Sequence, residues 1–533
     1  MQRDVLARSE PATERPGPDT QASPDHEVVI VGAGLSGIGF AIKLRQAGFR
    51  DFLIVEAGAD VGGTWYWNTY PGVAVDIPSF SYQFSFEKRP DWSRSYALGG
   101  ELKDYAGYCA DKYDLRRSTR FSTTIIAAVY DEDSNLWRLS INGGGELTAR
   151  YVVNATGVLT APKKPDIDGV DTFAGITMHT ARWDHSQTLS GKKVGIIGTG
   201  ASAVQIIPAI GSDVAHLTVF QRTPIWCLPK PDFRLSRWGR WILRYLPGCQ
   251  SAVRMVSQAF VEVTFPVAGH YYKSIPGSRH LAGLATKYIR SQVNDPVVQE
   301  KLIPRYAPGC KRPSFHNQYY ATFNRENVHL ETNSITHVSA DGVHTADGIA
   351  HDLDVLILAT GFKVFDEGSM PTYTVRGRDG VKLCQWWHEH RFQAYHGVSV
   401  PGFPNHFSMF GPYGYNGASY FTLIEAQTTH ILRCLQHARA AGHTRVEITQ
   451  EANDRFFAEM ISRRGRQVFW QDSCSLSNSY YFTEHGDVPL RPNTTVETYW
   501  RSKHFDLGDY RFGEPEAALS RRGTSTTQKR AVN

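Results

Sequence analysis

Two segments of the chain repeat one design, and that repetition constrains the fold more than any other feature. In the first, the apolar run Val28 to Val31 leads into Gly32-x-Gly34-x-x-Gly37, a helical stretch, and a second apolar run ending at Glu56. In the second, Val194 to Ile197 leads into Gly198-x-Gly200-x-x-Ala203, a helical stretch, and a run ending at Gln221-Arg222. Each follows the strand–turn–helix–strand pattern of a dinucleotide site. The first glycine permits the tight turn, the second lets a pyrophosphate approach the backbone, and the third small residue lets helix and strand pack closely. The helix N-terminus then offers free N–H groups and partial positive charge to the phosphates. An α/β chain with two Rossmann-like dinucleotide-binding domains is expected.

The residue 24 positions after the first glycine separates the two units. Glu56 suits a ribose 2′-OH, whereas Arg222 suits a 2′-phosphate. FAD carries the free hydroxyl and NADPH the phosphate, so FAD is expected at the first unit and NADPH at the second. Thr199, Gly200, Ala201 and Ser202 are expected to cradle the NADPH pyrophosphate.

Two further apolar runs end in small residues, at Ala155-Thr156-Gly157 and Ala359-Thr360-Gly361. They flank the second unit and read as crossings between an FAD domain and an inserted NADPH domain. The expected layout is 1–25 as a disordered leader, 26–159 and 361–515 as the FAD-binding domain, and 160–223 and 315–360 as the NADPH-binding domain. Residues 224–314 form a helical insertion, and 516–533 a disordered tail. The insertion carries helical apolar spacing in RWGRWILRYL and SAVRMVSQAFVEV. It is expected to cover the active site; a membrane-surface helix is the alternative.

Composition excludes several classes. A net charge of +5, from 57 basic and 52 acidic residues, is too weak and dispersed to argue for nucleic acid. No apolar run approaches the roughly 18 residues of a membrane span, and the leader lacks the apolar region of a secretory signal. The seven cysteines are scattered without a CxxC pair, which argues against a metal cage or a dithiol relay and reads as reduced thiols in a cytoplasmic protein. Without a relay, no electron-transfer protein is expected as partner.

Between the fingerprints, FAGITMHTARWD places Phe173, Gly175, His179, Trp183 and Asp184 in the pattern FxGxxxHxxxWD. This resembles the signature of Baeyer–Villiger monooxygenases, a family of class B flavoprotein monooxygenases. GGTWYWNTYPGVAVDIPSFSYQFSF resembles the family's flavin-side loop, GCKRPSFHNQYYATFNRENV its segment with the active-site arginine, and FGPYGYNGASYFTLIEAQTTHIL its returning flavin-domain segment. Residues 26–512 share the resemblance. Val73-Ala74-Val75 departs from the Arg or Cys often found before the aspartate, and the block SYYFTEHGDVPLRPNTTVETYWRS departs from the commoner form.

The resemblance implies a ketone substrate, FAD, NADPH and O₂, with oxygen insertion through a flavin C4a-peroxide to give an ester or lactone. It makes Arg312 and Asp76 the catalytic pair, with Asp76 orienting Arg312, and makes His179 structural. Fingerprint and resemblance together place Gly32, Gly34, Gly37, Glu56, Gly63, Thr64, Trp65, Trp67, Asp76, Tyr82 and Ile125 around FAD. They place Ala74, Val75, Asp76, Thr199, Gly200, Ala201, Ser202, Ala203, Gln205, Arg222, Thr223 and Lys311 around NADP. Lys311 is expected to join Arg222 at the 2′-phosphate. A flavin monooxygenase acting on nitrogen or sulfur shares these cofactors and is the alternative activity; a flavin reductase serving a protein partner would need the missing relay.

Overall fold

The computed structural model describes residues 23–275, 280–365 and 369–513. The first glycine unit anchors an eight-stranded sheet. Strand His26–Val31 lies parallel to Phe52–Val55 on one side and to Glu146–Asn154 on the other. Val28, Val29 and Ile30 are fully buried, because a parallel strand covered on both faces has no solvent side to reward a polar alternation. Glu146–Asn154 does two jobs. Its first half closes an antiparallel meander with Leu136–Ile141 and Ile125–Asp131, and its second half pairs in parallel with His406–Ser408. The sheet is therefore assembled from both ends of the chain. Helix Tyr420–Ala441 packs on helix Leu35–Gln46 over one face.

The second glycine unit lies in a five-stranded parallel sheet, in the order Val328–Glu331, His216–Phe220, Lys193–Ile197, Val355–Leu358, Ile176–His179. Between the two sheets the chain passes twice, and the passages lie side by side. Lys163 N–H donates to Gly361 O at 2.8 Å and Lys363 N–H to Ala161 O at 2.9 Å.

The stretch after the second unit leaves and returns by a short parallel pair, Cys227–Leu228 with Ser314–Phe315. Between them lie helices Arg237–Tyr245, Cys249–Glu262, Leu281–Gln292 and Pro296–Leu302. Among the described residues, no helix is long and apolar enough to cross a membrane.

The leader's residues 1–22 and the tail's 516–533 lie outside the described residues, but Asp25 belongs to the fold, since its carboxylate accepts from Thr148 N–H at 2.8 Å. The reading of all cysteines as reduced thiols is corrected: Cys310 and Cys474 form a disulfide across 164 residues, with Cα atoms 5.1 Å apart. Both are buried in the core around the second sheet, where the loop before Lys311 meets the turn Asp472–Ser477. The sequence hid the pair because burial in a shared core, and not local spacing, brings the two together. Cys109, Cys227, Cys249 and Cys434 are in no disulfide.

Candidate active site between the two nucleotide units

The glycine loops are shaped by close backbone approach. Gly32 has φ +109°, and a Cβ there would sit 2.7 Å from Ala155 O; at Gly198, with φ +112°, it would sit 2.5 Å from Ala359 O. Each first glycine thus presses against the end of a crossing strand. A Cβ on Gly37 would lie 2.0 Å from Gly32 O, and Ala203 is wholly buried. These third residues pack helix on strand. At Gly200 a Cβ would meet nothing within 4 Å, so this face of the loop opens on free space at a helix N-terminus. In the first unit the opposing wall is the turn at Gly62-Gly63, where a Cβ on Gly63 would lie 2.8 Å from Gly34 Cα.

These loops face one cavity of about 1150 Å³. It is lined by Gly32, Gly34, Glu56, Gly63, Thr64, Trp65, Trp67, Asp76, Tyr82 and Ile125 on the first side. Ala74, Val75, Thr199, Gly200, Ala201, Ser202, Gln205, Arg222, Thr223, Lys311 and Arg312 line the second. Gly37 and Ala203 do not line it. Nor do Phe173, Gly175, His179, Trp183 and Asp184. His179 closes strand Ile176–His179, and its Nδ1 accepts from Ala181 N–H at 3.1 Å. Burial pushes the His179 imidazole below its ordinary pKa, which suits a structural residue. The expected cover also differs. No described residue from 224 to 310 lines the cavity; its further walls include the two crossing segments at Ala155-Thr156-Gly157 and Ala359-Thr360-Gly361, with Tyr415, Tyr420, Asn478 and Tyr480.

Glu56 is buried, and its two oxygens accept from Ala33 N–H at 2.6 Å and Gly58 N–H at 2.7 Å. Burial raises its pKa, opposed by those two bonds. Each oxygen keeps a lone pair for a hydroxyl. Gln205 engages protein across the units. Its amide donates to Ala74 O at 2.9 Å and accepts from Ala74 N–H at 3.3 Å and Tyr70 O–H at 3.1 Å.

Arg222 and Lys311 share the far corner. Burial, and then the Arg222 charge, bring the Lys311 ammonium down to about 8. Neither cation has a carboxylate within 4.0 Å among the described residues. Two like charges held together without an anion fit a phosphate, and with the open face at Gly200 they make the second unit fit for NADP. Asn478, its amide oriented to suit, accepts from Arg222 Nε–H at 3.1 Å.

Asp76 is buried, and its Oδ1 has no hydrogen-bond partner among the described residues. Lys230 Nζ lies 4.0 Å from that oxygen and donates to Val75 O at 2.7 Å. Burial raises the Asp76 pKa, against Lys230 and Arg312. Arg312 feels the Asp76 charge but makes no ion pair with it within 4.0 Å. The expected Asp76–Arg312 pair is not in ion-pair contact here, and the nearer cation is Lys230, which also bonds the carbonyl of Val75, the residue before Asp76. Burial works against the Arg312 charge, but Tyr415, Tyr480, Tyr481 and Asp76 together hold its pKa well above the ordinary value.

Sequence reasoning missed Arg182, Lys230, Tyr415, Asn478 and Tyr480. Arg182 sits inside the signature and is the part of it that reaches the cavity, its guanidinium 4.0 Å from the Trp67 ring. A lysine between two prolines was the available sign for Lys230. Tyr480 lies in the block that departs from the family's commoner form, and Asn478 immediately precedes that block.

Two Rossmann-like units with glycine loops opening on one cavity define a two-dinucleotide oxidoreductase. Residues 29–262 match the family described as pyridine nucleotide-disulphide oxidoreductase. The chain is 36% identical over 511 residues to a Baeyer-Villiger monooxygenase of Pseudomonas aeruginosa, with 94% of each chain covered. It is 37% identical over 495 residues to the 2-oxo-Delta(3)-4,5,5-trimethylcyclopentenylacetyl-CoA monooxygenase of Pseudomonas putida, covering 84% of this chain and 90% of that one. Among solved structures, OTEMO in complex with FAD and NADP matches with a TM-score of 0.83 at 32% identity, covering 92% of this chain and 100% of that one. Cyclohexanone monooxygenase from Rhodococcus sp. Phi1 bound to NADP+ matches with a TM-score of 0.82 at 29% identity, over the same shares. The chain belongs to the Baeyer–Villiger monooxygenases.

Proposed function

We infer that the protein converts a small-molecule ketone, O₂, NADPH and a proton into an ester or lactone, water and NADP⁺, with no electron-transfer partner. One oxygen atom enters beside the carbonyl and the other leaves as water. The observation that carries this reading is the half-buried Arg312 guanidinium, which lines the one cavity that both nucleotide units face.

FAD, when bound, supplies the redox chemistry: it accepts hydride from NADPH and activates O₂. The chain's own residues do the rest. Gly32, Gly34 and the Gly63-Thr64-Trp65 turn hold the FAD phosphates and ring, with Glu56 on the ribose. Thr199 to Ser202 take the NADPH pyrophosphate, and Arg222 with Lys311 the 2′-phosphate. Arg312 stabilises the negative charge that develops on the carbonyl oxygen, as a preorganised cation in a water-poor site. Asp76 and Lys230 form a buried pair beside it that sets the local field. Tyr82 and Trp65, in edge contact at 5.7 Å, and the Phe421 ring behind Tyr82 keep water out. A cytoplasmic location belongs to the same reading, supported by the need for NADPH.

Purified protein is expected to carry FAD and to oxidise NADPH faster when a ketone is added, with products gaining one oxygen by mass spectrometry. Amines and thioethers, run beside the ketones, test the other activity. A protein that oxygenates those and no ketone overturns the proposal.

A further inference from the structure

Helices Arg237–Tyr245 and Cys249–Glu262 carry their apolar stripes on the wrong side for a soluble core. In the first, Trp238, Trp241, Ile242 and Tyr245 follow the i, i+3, i+4, i+7 spacing of one face, yet Trp238 is 75% exposed and Trp241 53%. In the second, Val256 and Phe260 stand four apart with Met255 beside them, and Val263 just past the helix end continues the same side; Met255 is 70% exposed and Val256 68%. The opposite faces are anchored: Leu243 and Val261 are buried, Ser257 bonds to Ser81, and Arg254 donates to Gln83 O at 2.7 Å. The helices are tied together by Gln250 Nε2–H donating to Leu243 O at 2.9 Å. Their exposure is thus a property of docked helices, and both apolar stripes are left without a protein partner among the described residues.

Charge selects the occupant. From Phe233 to Val261 the sequence has no Asp or Glu and five arginines, of which Arg234, Arg237 and Arg244 are exposed and Arg240 is half-buried. Only Arg244 has a carboxylate partner here, Asp91 at 3.5 Å. We propose that this two-helix face docks on an anionic lipid surface, with tryptophan, tyrosine and aliphatic side chains in the interface and arginines on the headgroups. Aromatic residues favour that depth, and a basic helix with a strong apolar face lies in the interface plane without spanning the bilayer. A second copy of the chain fits worse, because a two-fold contact would bring the arginines of one copy against those of the other. The face lies one layer from the cavity, since Ser81, bonded to Ser257, precedes the lining residue Tyr82.

The test is co-sedimentation of the FAD-loaded full chain with vesicles of phosphatidylcholine alone and of phosphatidylcholine mixed with phosphatidylglycerol. Expected is binding to the mixed vesicles, little to phosphatidylcholine, and release by salt, which screens the headgroup charge over about 10 Å at 0.1 M. Trp238→Ser with Trp241→Ser is expected to weaken binding about tenfold or more. Arg237→Gln with Arg240→Gln is expected to weaken it roughly fivefold per arginine. NADPH oxidation with a water-soluble ketone checks that each variant is folded, and the salt titration needs no variant. No binding to the mixed vesicles, or equal binding to both, overturns the proposal. So does binding that survives in both variants, which would move it to a segment such as the basic stretch Arg521 to Arg530. Light scattering that shows a dimer dissolved by the tryptophan substitutions assigns the face to self-association instead.

Discussion

The Asp76 carboxylate meets the Lys230 ammonium at 4.0 Å in a place where both side chains are nearly sealed from solvent, at 10% and 6% exposure. The distance admits attraction without a hydrogen bond, and Lys230 directs its proton to Val75 O instead. A buried carboxylate that is paired loosely is held near neutrality by burial and near ionisation by its cations, so its protonation answers to small changes around it.

Lys230→Met is therefore expected to raise the Asp76 pKa further and to destabilise the fold, by up to about 3–5 kcal/mol, the usual cost of stranding one member of a buried pair. The loss has a defined pH dependence. Asp76 already has a raised folded pKa, so its favourable contribution is full below the ordinary carboxylate pKa and is lost as pH rises through the folded value. The variant's Tm deficit is expected to be larger near about pH 8 than near about pH 5. A deficit independent of pH would show that Lys230 acts by packing alone.

Arg312→Ala is expected to keep FAD and flavin reduction by NADPH, because the glycine loops, Glu56, Arg222 and Lys311 are untouched. Ester formation is expected to fall by more than about a hundredfold, the range for losing one preorganised charge donor. NADPH consumption then releases hydrogen peroxide. Arg312→Lys should rescue poorly, since a point charge does not reproduce the guanidinium fork. Product and peroxide assayed together decide it; near-normal ester yield from Arg312→Ala would remove Arg312 from the mechanism.

Lys311 titrates near 8 beside Arg222. Its folded pKa is lowered, so the free protein loses the ammonium as pH rises through about 8, whereas a bound 2′-phosphate favours the charged form. NADP⁺ binding is expected to take up a proton near that pH and to weaken as pH climbs past it, while NAD⁺ binding stays flat. Calorimetry in buffers of different ionisation heat reads the proton directly. Arg222→Ala should lose most of the NADPH preference, about ten- to more than a hundredfold for a charge-assisted contact.

Gly200 and Gly37 occupy similar motifs but fail differently. Gly200 has an ordinary φ of −73° and open space beyond it, so Gly200→Val is expected to keep the fold and FAD while raising KM for NADPH at least tenfold. Gly37→Ala forces a Cβ to within 2.0 Å of Gly32 O and is expected to cost stability and FAD together. Flavin content and Tm separate the two outcomes.

Cys474→Ser opens the link between the Lys311-Arg312 loop and the turn that leads to Asn478. A loss of about 2–5 kcal/mol is the usual scale for removing a native disulfide. Alkylation mass shifts before and after reduction should count one disulfide, and NADPH should bind the variant more weakly as Asn478 and Lys311 lose their common anchor. Full alkylation of the unreduced, unfolded protein at all seven cysteines would show that the bond does not form.

The parts legible in the sequence are those set by local rules. Glycine spacing and strand polarity identified both units, and the two cofactors followed from Glu56 and Arg222. What stayed hidden depends on chain segments that meet only after folding. Lys230 reaches Asp76 from 154 residues away, and Cys474 reaches Cys310 from 164. The insertion misled for a different reason. Its helical period was readable, but period alone does not say which way a stripe faces, and here the apolar side points outward. The signature residues also behave less directly than their position suggests, shaping the passage between sheets while Arg182 alone among their neighbours touches the cavity.

The paired passages at Lys163 and Lys363 give the two halves of the molecule a preferred axis. Two strand segments bonded edge to edge resist being pulled apart or slid, but they yield readily in torsion. The Gln205 clasp on Ala74 sits elsewhere on the seam, so it acts as a catch on a swinging gate whose hinge post is the double strand. A turn about that post is the motion this connection opposes least, and it would open most the side of the cavity remote from it.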